Sequence, residues 1–216
     1  MRHIPHVLAV GPWTGPSIEL APDRHQHLVR VLRLDDGAEV HYTDGSGTIG
    51  SGVLAGGSIE RGDERTLAPE PDLHVVCSPP KSKDRVRFLV EKVAETGATS
   101  LRWLRTERTE GRPPRPDRSR AWADAALEQS RGAWRLSIGT TSWDELAEEP
   151  FLVGAPEGRP FGPGDLPCTV VIGPEGGLAP TEVPNRGEAV TFGGRILRTE
   201  TAAMAAVVLA RRSRPG

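Results

Sequence analysis

The sequence predicts an α/β protein built from a small β-barrel over residues 1–70 and an open, mostly parallel α/β sheet over residues 71–216. Short β-like runs separated by glycine-rich turns occupy most of residues 6–67, the pattern of a small barrel. From Leu73 onward, apolar strand-like runs alternate with amphipathic helical stretches, as they do in β-α-β units. The change of pattern falls at the prolines of residues 69–71, where we expect the domain boundary.

In the first module, the predicted strands are HVLAV, AEVHYTD, TIGSGVL and RTLA, with turns at DGSG and AGGS. One helix interrupts them, PDRHQHLVRVLRL from Pro22. Helical spacing predicts that Leu28, Val31 and Leu32 share a buried face of this helix.

In the second module, LHVVCS predicts a buried strand, KDRVRFLVEKVAETGA an amphipathic helix ending near Gly97, and SLRWL the next strand. After the helix breaker RPPRP, helices are predicted at SRAWADAALEQSR and SWDELAEE. Strands are predicted at FLVGAP, CTVVIGP and AVTFGG, and a C-terminal helix at TETAAMAAVVLARR.

The composition excludes a disordered chain, since 37% of the 216 residues are hydrophobic and 25 more are glycine. The longest apolar run, AAMAAVVLA, is about half the length that crosses a bilayer, and the first residues lack a signal-peptide core. We therefore expect a cytoplasmic protein without a membrane span. Cys77 and Cys168 lie far apart in strand-like runs, so they predict buried thiols.

The charge is unevenly distributed along the chain. The formal net charge is −2, yet residues 81–135 hold 14 Lys or Arg against 8 Asp or Glu. This basic middle fits contact with RNA, and it equally fits a solvated face.

The segment VVIGPEGGL (170–178) runs a buried strand directly into a glycine-rich turn. Gly173, Gly176 and Gly177 can adopt positive φ and let a ligand approach the backbone at a strand's carboxyl end. The spacing matches neither a dinucleotide fingerprint nor a P-loop. A tight turn without a ligand remains the alternative.

The segment GGRILRTETAAM (193–204) leads from a second glycine turn to a helix start. Thr199 is a candidate N-cap, and Glu200 in the first turn suits the helix dipole. Capping does not explain five polar side chains bracketing the apolar pair Ile196 and Leu197, whereas a pocket for a neutral ring such as adenosine does. The five are Arg195, Arg198, Thr199, Glu200 and Thr201.

Together these motifs resemble the RsmE family of SPOUT methyltransferases, which use S-adenosylmethionine to methylate N3 of a uridine in 16S ribosomal RNA. The resemblance also covers HLVRVLRL, GAEVHYTDGSG, KVAETGA, TERTE and ALEQS. It implies a PUA-like RNA-binding barrel, a SPOUT α/β domain whose C-terminus forms a trefoil knot, and a homodimer. It also implies 16S rRNA as the partner, expected in the assembled small ribosomal subunit, although the sequence does not decide between the subunit and naked RNA.

The resemblance further implies a cofactor site from both motifs: Ile172, Gly173, Glu175, Gly176, Gly177, Gly193, Ile196, Leu197, Arg198, Thr199 and Thr201. Glu200 or Glu175 would accept the uridine N3 proton, and Arg198 or Arg195 would stabilise the developing negative charge. Capping is the alternative role of Glu200. Methyl transfer from a sulfonium requires no metal, and none is predicted.

RNA contacts are expected at six cations: Arg30, Arg33, Lys81, Lys83, Arg105 and Arg108. Solubility is the alternative for each. The chain departs from the family in one motif, where Arg131-Gly132 follows Ser130 in place of Gly-Arg, so the sequence leaves open which arginine faces the site.

Three other functions are alternatives to methylation of uridine N3 in 16S rRNA. A SPOUT enzyme acting on another base or on ribose 2′-hydroxyls would share the knot and cofactor. A non-catalytic RNA-binding protein is disfavoured by the presence of both motifs. A nucleotide hydrolase is disfavoured by the absence of a phosphate-loop lysine.

Overall fold

The structure is a computed structural model that describes residues 4–184 and 187–212. The chain divides into two compact units. Unit 1 contains Met1–Pro69 and Leu127–Arg135, and unit 2 contains Glu70–Ala126 and Leu136–Gly216. The division of the chain at residue 70 into an RNA-binding domain and a methyltransferase domain stays a prediction.

Unit 1 is built on a five-stranded curled sheet in the order β1-β3-β4-β5-β2, in which only the β1–β3 pairing is parallel. Its core includes Val40, Tyr42, Leu54 and Ile59, which are fully buried. The strands are β1 (His6–Leu8), β2 (Ser17–Glu19), β3 (Glu39–Thr43), β4 (Thr48–Ala55) and β5 (Ser58–Thr66).

The predicted helix of unit 1 forms in two pieces, α1 (Pro22–Gln26) and a π-helix (His27–Val31). Leu28 is buried as predicted, but Val31 and Leu32 are 63% and 44% exposed, so that part of the prediction is wrong. The Leu32 N–H donates to the His27 carbonyl five residues back, and this wider turn rotates the apolar stripe away from the core.

The segment Leu127–Arg135 is held in unit 1 by one carboxylate and one histidine. The Glu128 carboxylate accepts the Leu8 N–H at 2.9 Å and two bonds from Arg24 Nη1 at 2.7 and 2.8 Å. His6 Nε2 lies 3.1 Å from the Gly132 carbonyl. The segment Ser130-Arg131-Gly132 places a non-glycine residue in a left-handed conformation, because Arg131 has φ of 57°.

Unit 2 is built on a six-stranded, all-parallel sheet in the order β11-β9-β10-β6-β7-β8. Its strands are β6 (Leu73–Cys77), β7 (Ser100–Leu104), β8 (Ser137–Thr141), β9 (Phe151–Pro160), β10 (Cys168–Ile172) and β11 (Gly187–Thr191). The central strands β6 and β10 are mostly apolar, interrupted only by His74 and Thr169, as expected of strands covered on both faces.

Two helices cover one side of this sheet as a packed pair, α2 (Lys83–Glu95) and α5 (Thr199–Arg211). Their apolar residues share one core with β6 and β10, and the alanines of α5 let the helix approach closely. A second core on β6, β7, β9 and β10 includes Val76, Phe151 and Val171. The other helices are α3 (Pro116–Ser130), α4 (Trp143–Leu146) and a 3₁₀ turn (Pro163–Asp165).

The predicted α/β fold class is confirmed, with a parallel six-stranded sheet in unit 2 and a curled sheet in unit 1. Strand β8 was not predicted, since SIGTT at the sheet edge carries one large apolar residue. The trefoil knot stays a prediction. Among the described residues, no helix is long and apolar enough to cross a membrane.

Candidate functional site

The site lies where the strand order of unit 2 reverses. From β6 the chain continues to β7 and β8 on one side, and from β10 it continues to β11 on the other. The neighbouring carboxyl ends of β6 and β10 are joined by the Ser78 N–H, which donates to the Ile172 carbonyl at 3.1 Å. Ligands of open α/β sheets bind outside the carboxyl ends of strands at such a point.

The first loop of the site follows β10 at Gly173–Gly177. Of its three glycines only Gly177 has positive φ, at 73°, and its N–H closes a turn on the Pro174 carbonyl at 2.8 Å. Gly173 is needed for a different reason, because a Cβ there would lie 2.8 Å from Leu178 Cγ. The loop therefore keeps its backbone accessible at Gly176 and Gly177, both exposed.

The second loop, after β11, delivers Thr199 and Glu200 to the first. Gly193 has φ of 147°, and α5 begins at Thr199. The Thr199 hydroxyl donates to the Gly173 carbonyl at 2.9 Å, which ties the two loops together. The prediction of Thr199 as N-cap is wrong, since Arg198 holds that position and the hydroxyl is directed to Gly173.

Glu200 is a buried carboxylate with one partnered oxygen. It is 7% exposed, and Arg85 Nε of α2 lies 3.5 Å from Oε1, while Oε2 has no hydrogen-bond partner among the described residues. Arg85 Nη1 also donates to Glu175 Oε1 of the first loop at 2.8 Å. One arginine thus connects the carboxylates of both motifs.

A cavity of about 720 Å³ opens beside the first loop, lined by residues that include Ser82, Arg85, Thr109, Glu175 and Gly176. Arg108 borders it and donates from Nη1 to the Gly176 carbonyl at 2.7 Å. The carboxylate of Glu182 accepts the Glu107 N–H and, at 3.0 Å, the Ala179 N–H. The segment after β7 is thereby fastened to the glycine loop.

The structure brings some of the predicted residues of the two motifs together and leaves others exposed on the second loop. Ile172, Gly173, Glu175, Thr199 and Glu200 meet at the strand ends through the contacts above. Leu197 packs against the core, and Thr201 is half-buried in the first turn of α5. The remaining loop side chains, Arg195, Ile196 and Arg198, are exposed, and Ile196 is 88% exposed.

The predicted RNA-contacting cations are all exposed: Arg30 and Arg33 in unit 1, and Lys81, Lys83, Arg105 and Arg108 in unit 2. Lys81 pairs with Glu110 at 3.0 Å. Arg108 is committed to the Gly176 carbonyl, which gives it a role in holding the loop.

Arg85 was missed by sequence reasoning. It stands in the first turns of the helix that follows the switch-point strand β6, and that position was the available signal. Its pairing with Glu175 and Glu200 depends on contacts between residues far apart in the chain.

The two cysteine thiols and the possible metal ligands of the described residues complete the account of the reactive side chains. Burial raises the pKa of the Cys77 thiol well above its usual range and that of Cys168 to about 11, so both are protonated at neutral pH. In residues 4–184 and 187–212, no three His, Cys, Asp or Glu side chains are grouped as metal ligands.

Comparison with known structures places this fold among RNA-modifying enzymes. A ribosomal RNA small subunit methyltransferase E from Neisseria gonorrhoeae, crystallised with S-adenosyl methionine, is 27% identical over 95% of each chain, with a TM-score of 0.80. A probable rRNA-methyltransferase from Porphyromonas gingivalis (23% identity, 94% and 95% covered, TM-score 0.76) shares the fold. So does a Legionella pneumophila methyltransferase with bound SAM (21%, 95% and 96%, TM-score 0.78).

A family model of the RNA methyltransferase domain matches residues 68–211, which include both site loops. The match covers two thirds of the chain and agrees with the resemblance read from its motifs. The chain therefore belongs to the RNA methyltransferase domain family, of the RsmE type.

Proposed function

We propose that this protein transfers a methyl group from S-adenosylmethionine to N3 of a uridine in 16S ribosomal RNA. The observation that carries the proposal is the junction of the two motif loops. There the Thr199 hydroxyl binds the Gly173 carbonyl, and the buried Glu200 carboxylate keeps a free oxygen beside it. The S-adenosyl methionine in the Neisseria gonorrhoeae relative, which aligns over 95% of the chain, supports the choice of cofactor.

The residues of the two loops fit this cofactor. The backbone at Gly177 and Gly193 is exposed and takes positive φ, and a Cβ at either glycine would meet open space. Ile196, 88% exposed, gives an apolar surface for the adenine ring to cover. The cofactor would be held by Ile172, Gly173, Glu175, Gly176 and Gly177 of one loop and by Gly193, Ile196, Leu197, Arg198, Thr199 and Thr201 of the other. When bound, it supplies an electrophilic methyl group on a sulfonium.

The protein must first expose the uridine, because N3 lies on the Watson–Crick edge. The N3 proton then has to be removed so that the nitrogen lone pair can attack. We assign this proton to Glu200 Oε2, the unpartnered oxygen, which is buried in the free protein and has to become accessible to the base when RNA binds; the proton passes to solvent as product leaves. Glu175 is the weaker candidate, since its Oε1 already accepts from Arg85 at 2.8 Å and its side chain is 43% exposed.

Negative charge develops on the uridine carbonyl oxygens as the N3 proton leaves. Arg198, next to Glu200 in sequence, and Arg195, in the same loop, carry exposed guanidinium groups suited to stabilise it. Arg85 acts indirectly by holding Glu200 Oε1, which directs Oε2 to the proton.

The RNA would be bound by the exposed cations Arg30, Arg33, Lys81, Lys83 and Arg105, with Arg108 at the glycine loop. We place the reaction in the cytoplasm, on the assembled small subunit. We also propose a homodimer. Phe88 of α2 and Val208 of α5 are apolar side chains, 39% and 49% exposed, that a second copy would cover.

The decisive experiment uses small-subunit particles from cells lacking this protein. They are incubated with purified protein and methyl-labelled S-adenosylmethionine, and the digested 16S RNA is analysed by mass spectrometry. We expect N3-methyluridine at a single position. A labelled methyl group on another base or on a ribose would assign a different target. If calorimetry detects no binding of S-adenosylmethionine, the proposed methyltransferase activity is refuted.

A further inference from the structure

A basic cleft of about 830 Å³ lies in unit 2 between the start of α2 and the segment joining β7 to α3. Six cationic side chains line it against three carboxylates, in a chain whose net charge is −2. The cations are Lys81, Lys83, Arg87, Arg112, Arg115 and Arg118, and the carboxylates are Asp84, Glu110 and Asp117.

Two of these cations are available to a ligand. Lys83 and Arg112 are exposed, and within the described part of the chain neither side chain makes a hydrogen bond or an ion pair. The exposed Arg87 pairs with the half-buried Glu91 at 2.7 Å, and the exposed Arg115 pairs with the exposed Asp117. Exposed pairs of this kind exchange readily for a phosphate because each stabilises the protein by about 1 kcal/mol or less.

The arginine-bearing wall of the cleft is a fixed structure. Gly111 is buried, and a Cβ there would lie 2.2 Å from the Pro79 carbonyl oxygen and 2.3 Å from that of Pro80. The segment therefore packs backbone against backbone at the carboxyl end of β6. Pro113, Pro114 and Pro116 fix their own φ and restrict the backbone of the residue before each, which includes Arg112 and Arg115, so little chain entropy is lost on binding.

An aromatic ring completes the cleft. The Arg118 guanidinium lies 5.7 Å from the centroid of the half-buried Trp122 ring. Cations beside a planar stacking surface are the combination that binds single-stranded nucleic acid.

The basic cleft adjoins the cavity of about 720 Å³ that opens beside the first loop. Lys81 and Glu110, an ion pair at 3.0 Å, line both, and that cavity continues to Glu175 and Gly176. A strand lying in the cleft would thus pass directly to the glycine loop.

We propose that the basic cleft binds the sugar–phosphate backbone of the single-stranded RNA next to the target nucleotide, with Lys83 and Arg112 on phosphates. The inference rests on the proposed function, since it specifies how the same substrate reaches that site. An acidic protein segment is the competing occupant.

The test is the salt dependence of RNA affinity. A short fluorescein-labelled, uridine-rich single-stranded RNA is titrated with the full-length protein and followed by fluorescence polarisation between about 50 and 200 mM salt. Each phosphate contact contributes about 0.7 to the slope of log affinity against log salt for single strands. The double variant Lys83→Ala/Arg112→Ala should therefore lose about 1.4 from the slope.

The matched control is Lys92→Ala/Arg120→Ala, which removes the same charges outside the cleft and should keep the slope. Circular dichroism verifies folding of both variants. An unchanged slope in the Lys83/Arg112 variant would overturn the proposal that the cleft binds RNA. The same conclusion would follow if the wild type bound polyglutamate more tightly than RNA and the Lys83/Arg112 variant lost that polyglutamate binding. Calorimetry of S-adenosylmethionine with the wild type separates the two proposals. If the wild type binds the cofactor and the Lys83/Arg112 variant keeps the wild-type slope, only the RNA-binding role of the cleft is overturned. If the wild type binds neither the cofactor nor RNA, both this role and the proposed function are overturned.

Discussion

Replacing Thr199 by valine tests whether the bond between the two motif loops controls cofactor binding. Valine keeps the shape of threonine but removes the hydroxyl that donates to the Gly173 carbonyl at 2.9 Å. Thr199 is 3% exposed, so its environment offers no water to replace the bond on that side. Gly173 is half-buried, and its carbonyl regains part of its hydration.

The expected loss follows from these exposures. A lost hydrogen bond costs about 0.5–1.5 kcal/mol, and an unsatisfied buried acceptor costs about 1–3 kcal/mol. With Gly173 half-buried we expect about 1–2 kcal/mol. Because about 1.4 kcal/mol corresponds to a tenfold change in affinity, S-adenosylmethionine should bind roughly 5- to 30-fold more weakly.

Isothermal titration calorimetry with S-adenosylmethionine measures this change. Thr199→Ser retains the hydroxyl and should bind nearly as tightly as wild type. Thr96→Val removes a comparable hydroxyl-to-carbonyl bond, to Lys92 at the far end of α2, and should leave affinity unchanged. If Thr199→Val binds the cofactor within twofold of wild type, on the order of the measurement error, the loop junction does not organise the site.

Three further changes have defined outcomes. Glu200→Gln should slow single-turnover methylation by roughly 10²-fold or more while the protein stays folded, and an unchanged rate would remove Glu200 as the base. Arg131→Gly should raise the free energy of unfolding, measured in urea, by about 0.5–1 kcal/mol, because glycine adopts the φ of 57° without strain. Among the described residues, the side-chain hydrogen bond lost is the one from Arg131 Nη2 to the Ile4 carbonyl at 3.3 Å. The control Arg131→Lys should leave the free energy of unfolding unchanged. Burial, opposed by the Gly132 carbonyl, lowers the pKa of His6 below 6.5, so its neutral form is the one the fold favours. Stability should be full above pH 6.5 and decline as the pH falls through the lowered pKa; His6→Gln should flatten this decline in urea titrations at several pH values, and an identical pH dependence in the variant would contradict the assignment.

Buried strands rich in large apolar residues were predictable from the sequence, and polar edge elements were not. SLRWL matches β7 at Ser100–Leu104, because Leu101, Trp103 and Leu104 mark it as buried even though Ser100 and Arg102 interrupt the apolar run. Strand β8 escaped prediction since an edge strand with exposed residues lacks that signal. The exposed Val31 and Leu32 show that helix faces have the same limit. A π-turn rotates the apolar face of the helix, and the residue types in the segment do not indicate that the turn is there.

The site was predictable wherever glycine or charge marks it locally. The segments around Gly173 and Thr199 were identified from their spacing, and the structure joins them by a hydrogen bond. Arg85 was not predictable, because nothing in a helix sequence distinguishes it from Arg87 until the distances to Glu175 and Glu200 are known.

The membership of Leu127–Arg135 in unit 1 has a consequence for the order of events during synthesis. When residue 69 leaves the ribosome, Glu128 has not been made, so the Leu8 N–H and Arg24 still lack their acceptor. At roughly 5–20 residues per second, several seconds pass before it emerges. Unit 1 therefore cannot complete its hydrogen bonds until part of unit 2 has been synthesised. A protease assay on nascent chains should find residues 1–69 protected only after residue 135 has emerged from the ribosome.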